Sequence, residues 1–527
     1  MVTRPVDPVN TSAYSPRAQA HEIIVSMISV KRRDTCRRLL GLPLLLPHAV
    51  VRPATPLGPT ADPLYPAIDP LRLAGSADAA LTAWLQAAGL DGAPLSVKVQ
   101  ALDGGPVVLQ RAVDVALNPA SSIKLLTTYS GLLELGADYR LETRLMLDGE
   151  LRDGRLDGNL VLIGGGDPKF VIEDLTDMLA RMRAAGLQHI GGDLLIDRSL
   201  YAPTRVERAF DGLPAEPYNV QPDAALMNFK SVKFIITPGP RGRRIVLDPP
   251  LAGVVIDDAL ILEKGRCRHG AGGLQISETP RSRGRPAIRV GGRYSVGCGQ
   301  TESFHAVLDH ASFADAFFRA GWMGAGGTWK GRARTLPGRS ALADRDPWFI
   351  WSSPRRLAEA VSDIHKFSNN VMTRQLLLHL GALRGGQPAD EAAGARVVME
   401  HLKRRGIPDA GLVLDNGAGL SRTARCSAHS LIALLLDAAG GEQALIMRES
   451  LPVVGVDGTM KRRLRDHPVA GRAWIKTGSI DDVRSIAGYL DARSGRRYAL
   501  AMIVNSPKAA ASVAVQDELL KWLFEHG

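Results

Sequence analysis

Ser121 and Lys124 form a residue pair that could carry out acyl-transfer chemistry. They lie three positions apart in "NPASSIKLLTTYSGLLELG", where a polar loop becomes an apolar, helix-compatible run. On a helix such residues share one face, so the lysine amine can reach the serine hydroxyl. An amine that is desolvated or close to another cation loses its proton more easily, and it can then activate a serine nucleophile. The N-terminus of a helix also favours a developing anion.

Two further groups strengthen this interpretation. Ser368-Asn369-Asn370 is an S-x-N triplet in a helical region, and Lys476-Thr477-Gly478 is a K-T-G triplet on a predicted strand. Each group also has a purely structural interpretation. These are an N-cap serine with a surface lysine, a polar break between helices, and a strand running into a turn. Their occurrence in this order, each on a suitable element, favours a shared catalytic site.

The elements that must position these groups alternate in type along the chain. A helix is predicted over residues 78–90, followed by two strands around a Gly-rich turn. After one helix at 172–185, only short strands and turns are predicted through about residue 336. Helices return at 353–382, and three closing strands followed by a helix predict an antiparallel sheet with that helix packed on it.

This pattern predicts four segments. They are a leader with a candidate signal segment and Pro-rich linker (1–75), the first part of a catalytic domain (76–146), a β-rich insert of one or two small domains (147–340) and the second part of the catalytic domain (341–527).

The charge of the chain is basic, with 65 Lys and Arg against 54 Asp and Glu and a net charge of +11. Such a balance is compatible with a nucleic-acid partner. The arginines are scattered, however, and neither zinc-finger nor RNA-motif spacing occurs. A solvated, arginine-rich surface is therefore favoured, and no nucleic-acid partner is expected.

The four cysteines, Cys36, Cys267, Cys298 and Cys426, contain no CxxC spacing, which argues against a zinc site. Cys267 and Cys298 could pair in an exported protein, and two free thiols remain the alternative.

The stretch that begins at Met27 predicts export to the periplasm. "MISVKRRDTCRRLLGLPLLLPHAVV" has a basic part and then a short apolar part, which is typical of a secretory signal. Its arginine pairs leave a twin-arginine route open. The apolar run is short for a membrane span, and peripheral membrane association stays open. Residues 1–26 are interpreted as an extension upstream of a start at Met27.

The three motifs resemble those of penicillin-binding proteins and related β-lactamases. Flanking stretches narrow the resemblance to the D-alanyl-D-alanine carboxypeptidase/endopeptidase family, the class C low-molecular-mass penicillin-binding proteins (peptidase family S13). The stretches are "YRLETRLMLDGELRDGRLDGNLVLIGGGDP", "PYNVQPDAALMNFK", "RYSVGCGQ", "DNGAGLSR", "LPVVGVDGTMKRRL" and "IKTGSIDDVRSIAGYL".

The resemblance runs from about Asp78 to the C-terminus and implies an α+β fold. Its core would be a penicillin-binding-protein/β-lactamase-like serine transpeptidase core, an antiparallel sheet flanked by helices, with a large β-rich inserted region. The 247 positions between Ser121 and Ser368 accommodate that insert, whereas a class A β-lactamase would be much shorter there.

The resemblance implies an acyl-enzyme on Ser121, which would attack the carbonyl of the penultimate D-alanine of a peptidoglycan stem peptide. Lys124 would be the acylation base. Ser368 would relay a proton to the leaving amine, and Asn370 would hold Lys124 or the substrate backbone.

Four residues on the K-T-G strand would bind the substrate: Lys476, Thr477, Gly478 and Ser479. The first two would bind the terminal carboxylate, and Gly478 would let the substrate backbone approach closely. Backbone N–H groups of Ser121 and Ser479 would form the oxyanion hole. No metal or organic cofactor is implied, and a β-lactam would acylate the same serine.

Two further residues are weaker candidates for substrate contacts. Arg422, in "GLSR", could contact substrate if its turn borders the cleft, and a surface arginine is the alternative. Asp211 could meet the amine of a cross-link diamino acid, and a solvated turn residue is the alternative. Asn369 and His365 replace the Asp and Asn that are common in the superfamily. Neither change removes a catalytic group.

Rival functions stay open at this point. One is a serine β-lactamase or esterase on the same core, which would turn over a β-lactam rapidly. Another is a non-catalytic cell-wall-binding scaffold, which would bind muropeptides without releasing D-alanine.

Overall fold

The computed structural model describes residues 70–105, 107–203, 210–239, 242–282 and 284–527. The predicted leader, the signal segment and Cys36 lie outside this range.

Ten α-helices occur in the described residues. They are α1 (Pro70–Ala87), α2 (Lys124–Leu135), α3 (Ile172–Ala184), α4 (His310–Gly324), α5 (Leu357–Phe367), α6 (Asn370–Arg384), α7 (Glu391–Arg404), α8 (Ala428–Gly440), α9 (Ala444–Ser450) and α10 (Ser512–His526).

The same residues contain nineteen strands. They are β1 (Leu95–Ala101), β2 (Val107–Arg111), β3 (Glu142–Arg152), β4 (Arg155–Ile163), β5 (His189–Ile190), β6 (Leu194–Asp197), β7 (Ser231–Gly239), β8 (Gly242–Asp248), β9 (Val255–Asp258), β10 (Ile261–Arg266), β11 (Leu274–Ser282), β12 (Arg285–Gly297), β13 (Thr301–Ala306), β14 (Thr328–Trp329), β15 (Ala333–Thr335), β16 (Phe349–Ser352), β17 (Ala473–Ile480), β18 (Val483–Asp491) and β19 (Arg497–Asn505).

Strands from both ends of the described chain form one five-stranded antiparallel sheet, in the order β17-β18-β19-β1-β2. β1 lies beside β19, with Val99 opposite Leu500. Residues 498–504 of β19 are buried without interruption, as expected for a strand covered on both faces. Alternate residues face two different apolar cores: Ala499 and Ala501 pack in one, Leu500 and Met502 in the other.

Helices cover both faces of this sheet. The core on one face includes side chains of α2, α5, α6 and α8, and the core on the other face includes side chains of α1 and α10. The predicted closing strands and final helix are present, and the strands β1 and β2 join the same sheet. None of the described helices combines the length and apolar character needed to cross a bilayer.

Between β2 and α5 the chain forms three further sheets over an apolar core that also includes α3 and α4. The largest sheet pairs β3 with β16, so it begins at Glu142 and ends at Ser352, beyond the predicted bounds of 147 and 340. The division of the chain into domains stays a prediction.

One helix in this region differs from the sequence-based expectation of strands and turns alone. α4 begins at an N-cap, where the Asp309 side chain accepts a hydrogen bond from the Ser312 N–H, 2.9 Å away. It buries Phe313, Phe317 and Trp322 in the apolar core of the insert. This cap and apolar face stabilise a helix within a run otherwise made of strands.

The structure also joins Cys267 to Cys298 in a disulfide within the inserted region. Cys426 is buried and has a free thiol.

Candidate active site

Ser121 lies in a short 3₁₀ turn, Ala120–Ile123, immediately before α2. The turn is held from both sides by Asn118, whose Oδ1 accepts from the Ala120 N–H (2.9 Å) and whose Nδ2 donates to the Ser421 carbonyl (2.8 Å). Ser121 therefore precedes the α-helix, while Lys124 is its first residue. The Ser121 side chain remains partly exposed.

The side chain of Lys124 is fully buried. Its Nζ donates to Ser121 Oγ at 2.9 Å, to Asn370 Oδ1 at 2.8 Å and to the Ala418 carbonyl. Burial, together with the nearby positive charge of Lys476, lowers the pKa of Lys124 well below the usual lysine value. A neutral amine has two N–H donors, which the Asn370 and Ala418 oxygens can accept, so its lone pair is left for the Ser121 hydroxyl proton, as a general base requires.

The S-x-N triplet forms the junction between two helices. Ser368 ends α5 in a left-handed conformation, with φ of 54°, and Asn370 begins α6. The Asn369 side chain caps α6 by accepting from the Met372 N–H at 3.0 Å. Asn370 lies between two partners, because its Oδ1 accepts from Lys124 and its Nδ2 donates to the Tyr218 carbonyl at 3.2 Å.

The K-T-G triplet lies on β17. Lys476 is fully buried, and its Nζ donates to Ser368 Oγ at 2.9 Å and to the Thr477 carbonyl at 2.7 Å. Burial lowers the pKa of Lys476 to about 7. Thr477 Oγ1 donates to Thr459 Oγ1 at 2.9 Å. All three predicted motifs therefore meet in one hydrogen-bonded cluster.

Gly478 is required by contacts within the protein itself. A Cβ at this position would lie 2.2 Å from Ser485 Oγ, 2.5 Å from the Pro119 carbonyl oxygen and 3.0 Å from the Ser121 nitrogen. The glycine lets β17 pack directly against the turn that carries the serine. The sequence-based prediction for this glycine is different: it attributes the residue to close approach of the substrate backbone. Ser479 follows on the same strand and is exposed.

The role of the loop "DNGAGLSR" beside Lys124 was not predictable from the three motifs. This loop supplies the Ala418 carbonyl that accepts from Lys124. Gly419 has φ of +80°, and a Cβ there would lie 2.0 Å from the Ala120 carbonyl oxygen. The closely spaced glycines were the available signal, because glycine permits both this conformation and this approach.

His365 is a second residue whose location sequence analysis did not predict. Its ring is fully buried and contacts Thr128 Oγ1 through Nε2 and Ser450 Oγ through Nδ1, both at 2.8 Å. Burial and the charges of Lys476 and Lys124 lower the pKa of His365 well below the usual histidine value. A neutral ring therefore ties the helix carrying Lys124 to the end of α9.

The two weaker candidates have partners of their own. Arg422 donates to Asp481 at 2.9 Å, and its guanidinium carbon lies 4.4 Å from the ring centroid of Phe210. Asp211 accepts from Tyr218 Oη at 2.5 Å and from Asn219 Nδ2 at 2.8 Å. Burial opposes the ionisation of Asp211, yet these hydrogen bonds together lower its pKa.

No group of three or more His, Cys, Asp or Glu side chains in the described part of the chain is arranged to hold a metal ion. The atoms gathered around Ser121 belong to amines, hydroxyls and amides. This donor set suits proton transfer and the binding of an anion.

Comparison with known proteins identifies relatives over most of the chain. A model described as the D-Ala-D-Ala carboxypeptidase 3 (S13) family matches residues 77–526. A D-alanyl-D-alanine carboxypeptidase of Actinomadura sp. (strain R39) is 28% identical over 466 residues, covering 85% of this chain and 84% of that protein. D-alanyl-D-alanine carboxypeptidase DacB of Haemophilus influenzae is 24% identical over 403 residues, covering 73% and 80%.

Among solved structures, penicillin-binding protein 4 of Haemophilus influenzae matches with a TM-score of 0.72 at 21% identity. The match covers 84% of this chain and 99% of that one. The same protein in complex with a β-lactam matches with a TM-score of 0.68 at 22% identity. These matches confirm the predicted fold class.

Proposed function

The chain belongs to the D-Ala-D-Ala carboxypeptidase 3 (S13) family, as the motifs predicted, and from this premise we propose that it cleaves peptidoglycan peptides through an acyl-enzyme on Ser121. Its substrates would be stem peptides ending in D-Ala-D-Ala, cut as a carboxypeptidase, and peptide cross-links, cut as a DD-endopeptidase. The observation that supports this best is the hydrogen bond from the buried amine of Lys124 to Ser121 Oγ.

In the acylation step, neutral Lys124 takes the proton from Ser121 Oγ as the oxygen attacks the carbonyl carbon of the penultimate D-alanine. The oxyanion that forms would accept hydrogen bonds from the backbone N–H groups of Ser121 and Ser479. As the intermediate collapses, the C–N bond breaks. The Ser368 hydroxyl relays to the leaving amine the proton that Lys124 took from Ser121, so D-alanine leaves and Lys124 is neutral again.

Deacylation uses the same groups with water in place of the amine. Lys124 acts as the base that takes a proton from the attacking water, and it gives this proton to Ser121 Oγ as the ester bond breaks. Asn370 supports both steps because its hydrogen bond holds the Lys124 amine towards the serine. The products are the shortened peptide and the free enzyme.

The terminal carboxylate of the substrate would bind to Lys476 and Thr477. Protonated Lys476 supplies the positive charge, and the Thr477 hydroxyl supplies a directed hydrogen bond. Because burial lowers the pKa of Lys476 to about 7, an arriving carboxylate would favour its protonated form.

Arg422 and Asp211 are proposed as outer contacts for longer substrates. Both are exposed, and the Asp211 partner Tyr218 also accepts from Asn370. If Arg422 contacts substrate, Arg422→Ala should raise KM for a cross-linked muropeptide more than Asp481→Ala does. Equal changes of KM in the two variants would mean that Arg422 acts only through its ion pair with Asp481. A raised KM for the same substrate in Asp211→Asn would support the second contact, and an unchanged KM would refute it.

The proposed function also implies a cellular compartment for the protein, outside the cytoplasm. A peptidoglycan substrate calls for an exported enzyme, in agreement with the secretory signal predicted after Met27 and with the Cys267–Cys298 disulfide. Fusing residues 1–75 to a reporter that is active only outside the cytoplasm tests export. An inactive reporter would refute it.

The deciding experiment uses mass spectrometry of the protein after incubation with penicillin and, separately, with muropeptides. We expect a penicillin adduct on the peptide containing Ser121, release of D-alanine and cleavage of cross-linked dimers. Ser121→Ala should remain folded and lose all three. Rapid turnover of penicillin without a lasting adduct would instead indicate a β-lactamase, and muropeptide binding without D-alanine release would indicate a scaffold.

A further inference from the structure

A cavity of about 500 Å³ lies between the largest sheet of the insert and helix α6. Its volume is in the range of small-molecule sites. None of the residues of the three motifs lines it. One wall is formed by His379, nine residues after Asn370 on the same helix, which places it about 14 Å along the axis from that residue.

The cavity contains two arginines that form no ion pair among the described residues, although Arg144, to a smaller extent than Arg339, helps to lower the pKa of the Asp344 carboxyl. Arg140 donates to the Ser353 carbonyl at 2.9 Å and Arg144 to the Ala343 carbonyl at 3.1 Å. Neither takes part in an ion pair with another described residue. A guanidinium bonded only to a neutral carbonyl retains donors and its full charge for a ligand.

The other charged groups in the cavity differ in whether they are already paired. Arg339 is neutralised by Asp344, and the two oxygens of Asp197 accept from the Ser199 and Ser340 N–H groups at 2.8 Å and 2.7 Å. Glu142 lines the wall and forms no ion pair in the described part of the chain. Asp197 keeps its negative charge, but both of its oxygens already accept hydrogen bonds, so the groups left to contact a ligand are two guanidinium groups and the Glu142 carboxylate.

A buried polar atom is also left without a partner at this site. His379 is 5% exposed, and its Nε2 lies 3.0 Å from Tyr139 Oη, whereas its Nδ1 has no hydrogen-bond partner in the structure. Unpaired buried polar atoms are uncommon and often mark a functional position. Here the atom belongs to a side chain that lines the cavity.

From these observations we propose that the cavity binds a small dicarboxylate of amino-acid type, with Arg140 and Arg144 holding its carboxylates and Glu142 its ammonium group. Two guanidinium groups suit two carboxylates because their donors form charge-assisted, bidentate hydrogen bonds. The single free carboxylate selects ligands that also carry an amine. The inference goes beyond the proposed function, since it involves neither Ser121 nor the acyl-enzyme.

Calorimetric titration of the full chain with glutamate tests the proposal. Glutamate should bind, and glutarate, which lacks the amine, should bind more weakly. Arg140→Gln and Arg144→Gln should each weaken glutamate binding by about tenfold or more, the expected loss for a charge-assisted contact. Glu142→Gln should weaken the binding of glutamate and leave that of glutarate unchanged or stronger.

Arg152→Gln is the matched control. Arg152 lies on the same strand, β3, and its side chain is 75% exposed, so this variant should bind glutamate normally. Thermal unfolding of each variant shows whether it is folded. The proposal is refuted if glutamate does not bind at millimolar concentrations, if Arg144→Gln binds as the unmodified protein does, or if inorganic phosphate binds more tightly than glutarate.

Discussion

Two lysine amines lie in the interior of the site, and neither forms an ion pair with a carboxylate in the described residues. Lys124 and Lys476 donate only to hydroxyl, amide and carbonyl oxygens. Since an unpaired buried charge is costly, the surroundings favour the neutral amines. One buried amine is thereby suited to take a proton, and the other to be charged when a carboxylate arrives.

The role of Lys124 as a base can be tested with Lys124→Arg. Arginine keeps the positive charge but does not deprotonate readily. We expect acylation by a chromogenic β-lactam to fall by at least ~10²-fold, the low end for lost general-base catalysis. Stopped-flow absorbance measures this rate.

Lys366→Arg is the control for size and charge. Lys366 lies near the end of α5, and its Nζ is 2.6 Å from Asp457, so an arginine can retain that ion pair and acylation should stay close to normal. Thermal unfolding must show both variants folded. Near-normal acylation by folded Lys124→Arg would exclude Lys124 as the base.

The lowered pKa of Lys476 predicts a pH dependence of stability. Between its folded value of about 7 and the ordinary lysine value of about 10.4, the unfolded chain binds a proton that the folded chain lacks. The free energy of unfolding should therefore rise with pH in this window, by up to about 1.4 kcal/mol per unit from this group. The stabilisation that comes from the neutral Lys476 amine is complete above the pKa of an unfolded lysine. It is lost as the pH falls through the folded value of about 7.

Urea unfolding at several pH values between 7.5 and 9.5 measures this slope. Lys476→Met should reduce this slope by up to about 1.4 kcal/mol per pH unit, which corresponds to one proton. Ser368→Ala removes a hydrogen bond to the same amine but leaves the amine in place, so most of the slope should remain. An identical slope in Lys476→Met and the unmodified protein would show that the buried amine is charged in the folded state.

At the scale of elements, the site depends on how closely β17 approaches the serine turn. Ser485 Oγ, on the neighbouring strand β18, donates to the Pro119 carbonyl at 2.6 Å and lies 2.8 Å from Ser122 Oγ. These contacts hold the turn against the sheet, and Gly478 lies between them. The relative position of a strand and a turn thus sets the geometry around the nucleophile.

Gly478→Ala should separate these two elements. The new methyl group meets backbone atoms, which cannot move away as a flexible side chain can. We expect a loss of about 1–3 kcal/mol in the free energy of unfolding, as for other overpacked sites, and slower acylation by penicillin.

Gly440→Ala is the matched control, because a Cβ at that helix end has no atom within 4 Å. It should have normal stability and normal acylation. If Gly478→Ala acylates at the normal rate, the close packing of β17 is not needed for the reaction.

At the scale of the whole molecule, the disulfide lies in the insert, whereas Ser121 lies beside the five-stranded sheet. Cys267 and Cys298 are 31 positions apart, and a loop of this length corresponds to about 3–4 kcal/mol in the chain-entropy model. We predict that replacing both cysteines with serine lowers the stability of the insert by up to this amount. The penicillin acylation rate should remain unchanged, because neither cysteine contacts the catalytic cluster.

Urea unfolding and the acylation rate of the double variant test this separation. Thiol titration of the denatured, unreduced protein should find Cys267 and Cys298 blocked and Cys426 reactive. Loss of acylation in a double variant that still contains a folded catalytic sheet would show that the insert controls the site.

The positions of the three motifs were predictable from the sequence because each motif is local. A serine and a lysine three positions apart share a helical face, and this spacing survives although Ser121 lies in a 3₁₀ turn. The polar triplet at Ser368 breaks the helical pattern where α5 ends and α6 begins. The triplet at Lys476 follows the alternation of a strand.

Other parts of the site depend on long-range contacts that no local pattern encodes. The Ala418 carbonyl meets an amine 294 positions away, and β1 pairs with β19 across about 400 positions of chain. The partner of Arg422 is Asp481, 59 positions further along. The spacing of the two insert cysteines left pairing open until the fold brought them together.

The sequence alone thus determined which residues form the three motifs, whereas the tertiary structure decided which atoms surround them. Hydrophobic periodicity reports which face of an element is buried, but not which distant element covers it. Three features arise where separate elements meet. They are the carbonyl that accepts from Lys124, the need for a glycine at position 478 and the cavity wall that contains two arginines. Such contacts form only when the whole chain has folded.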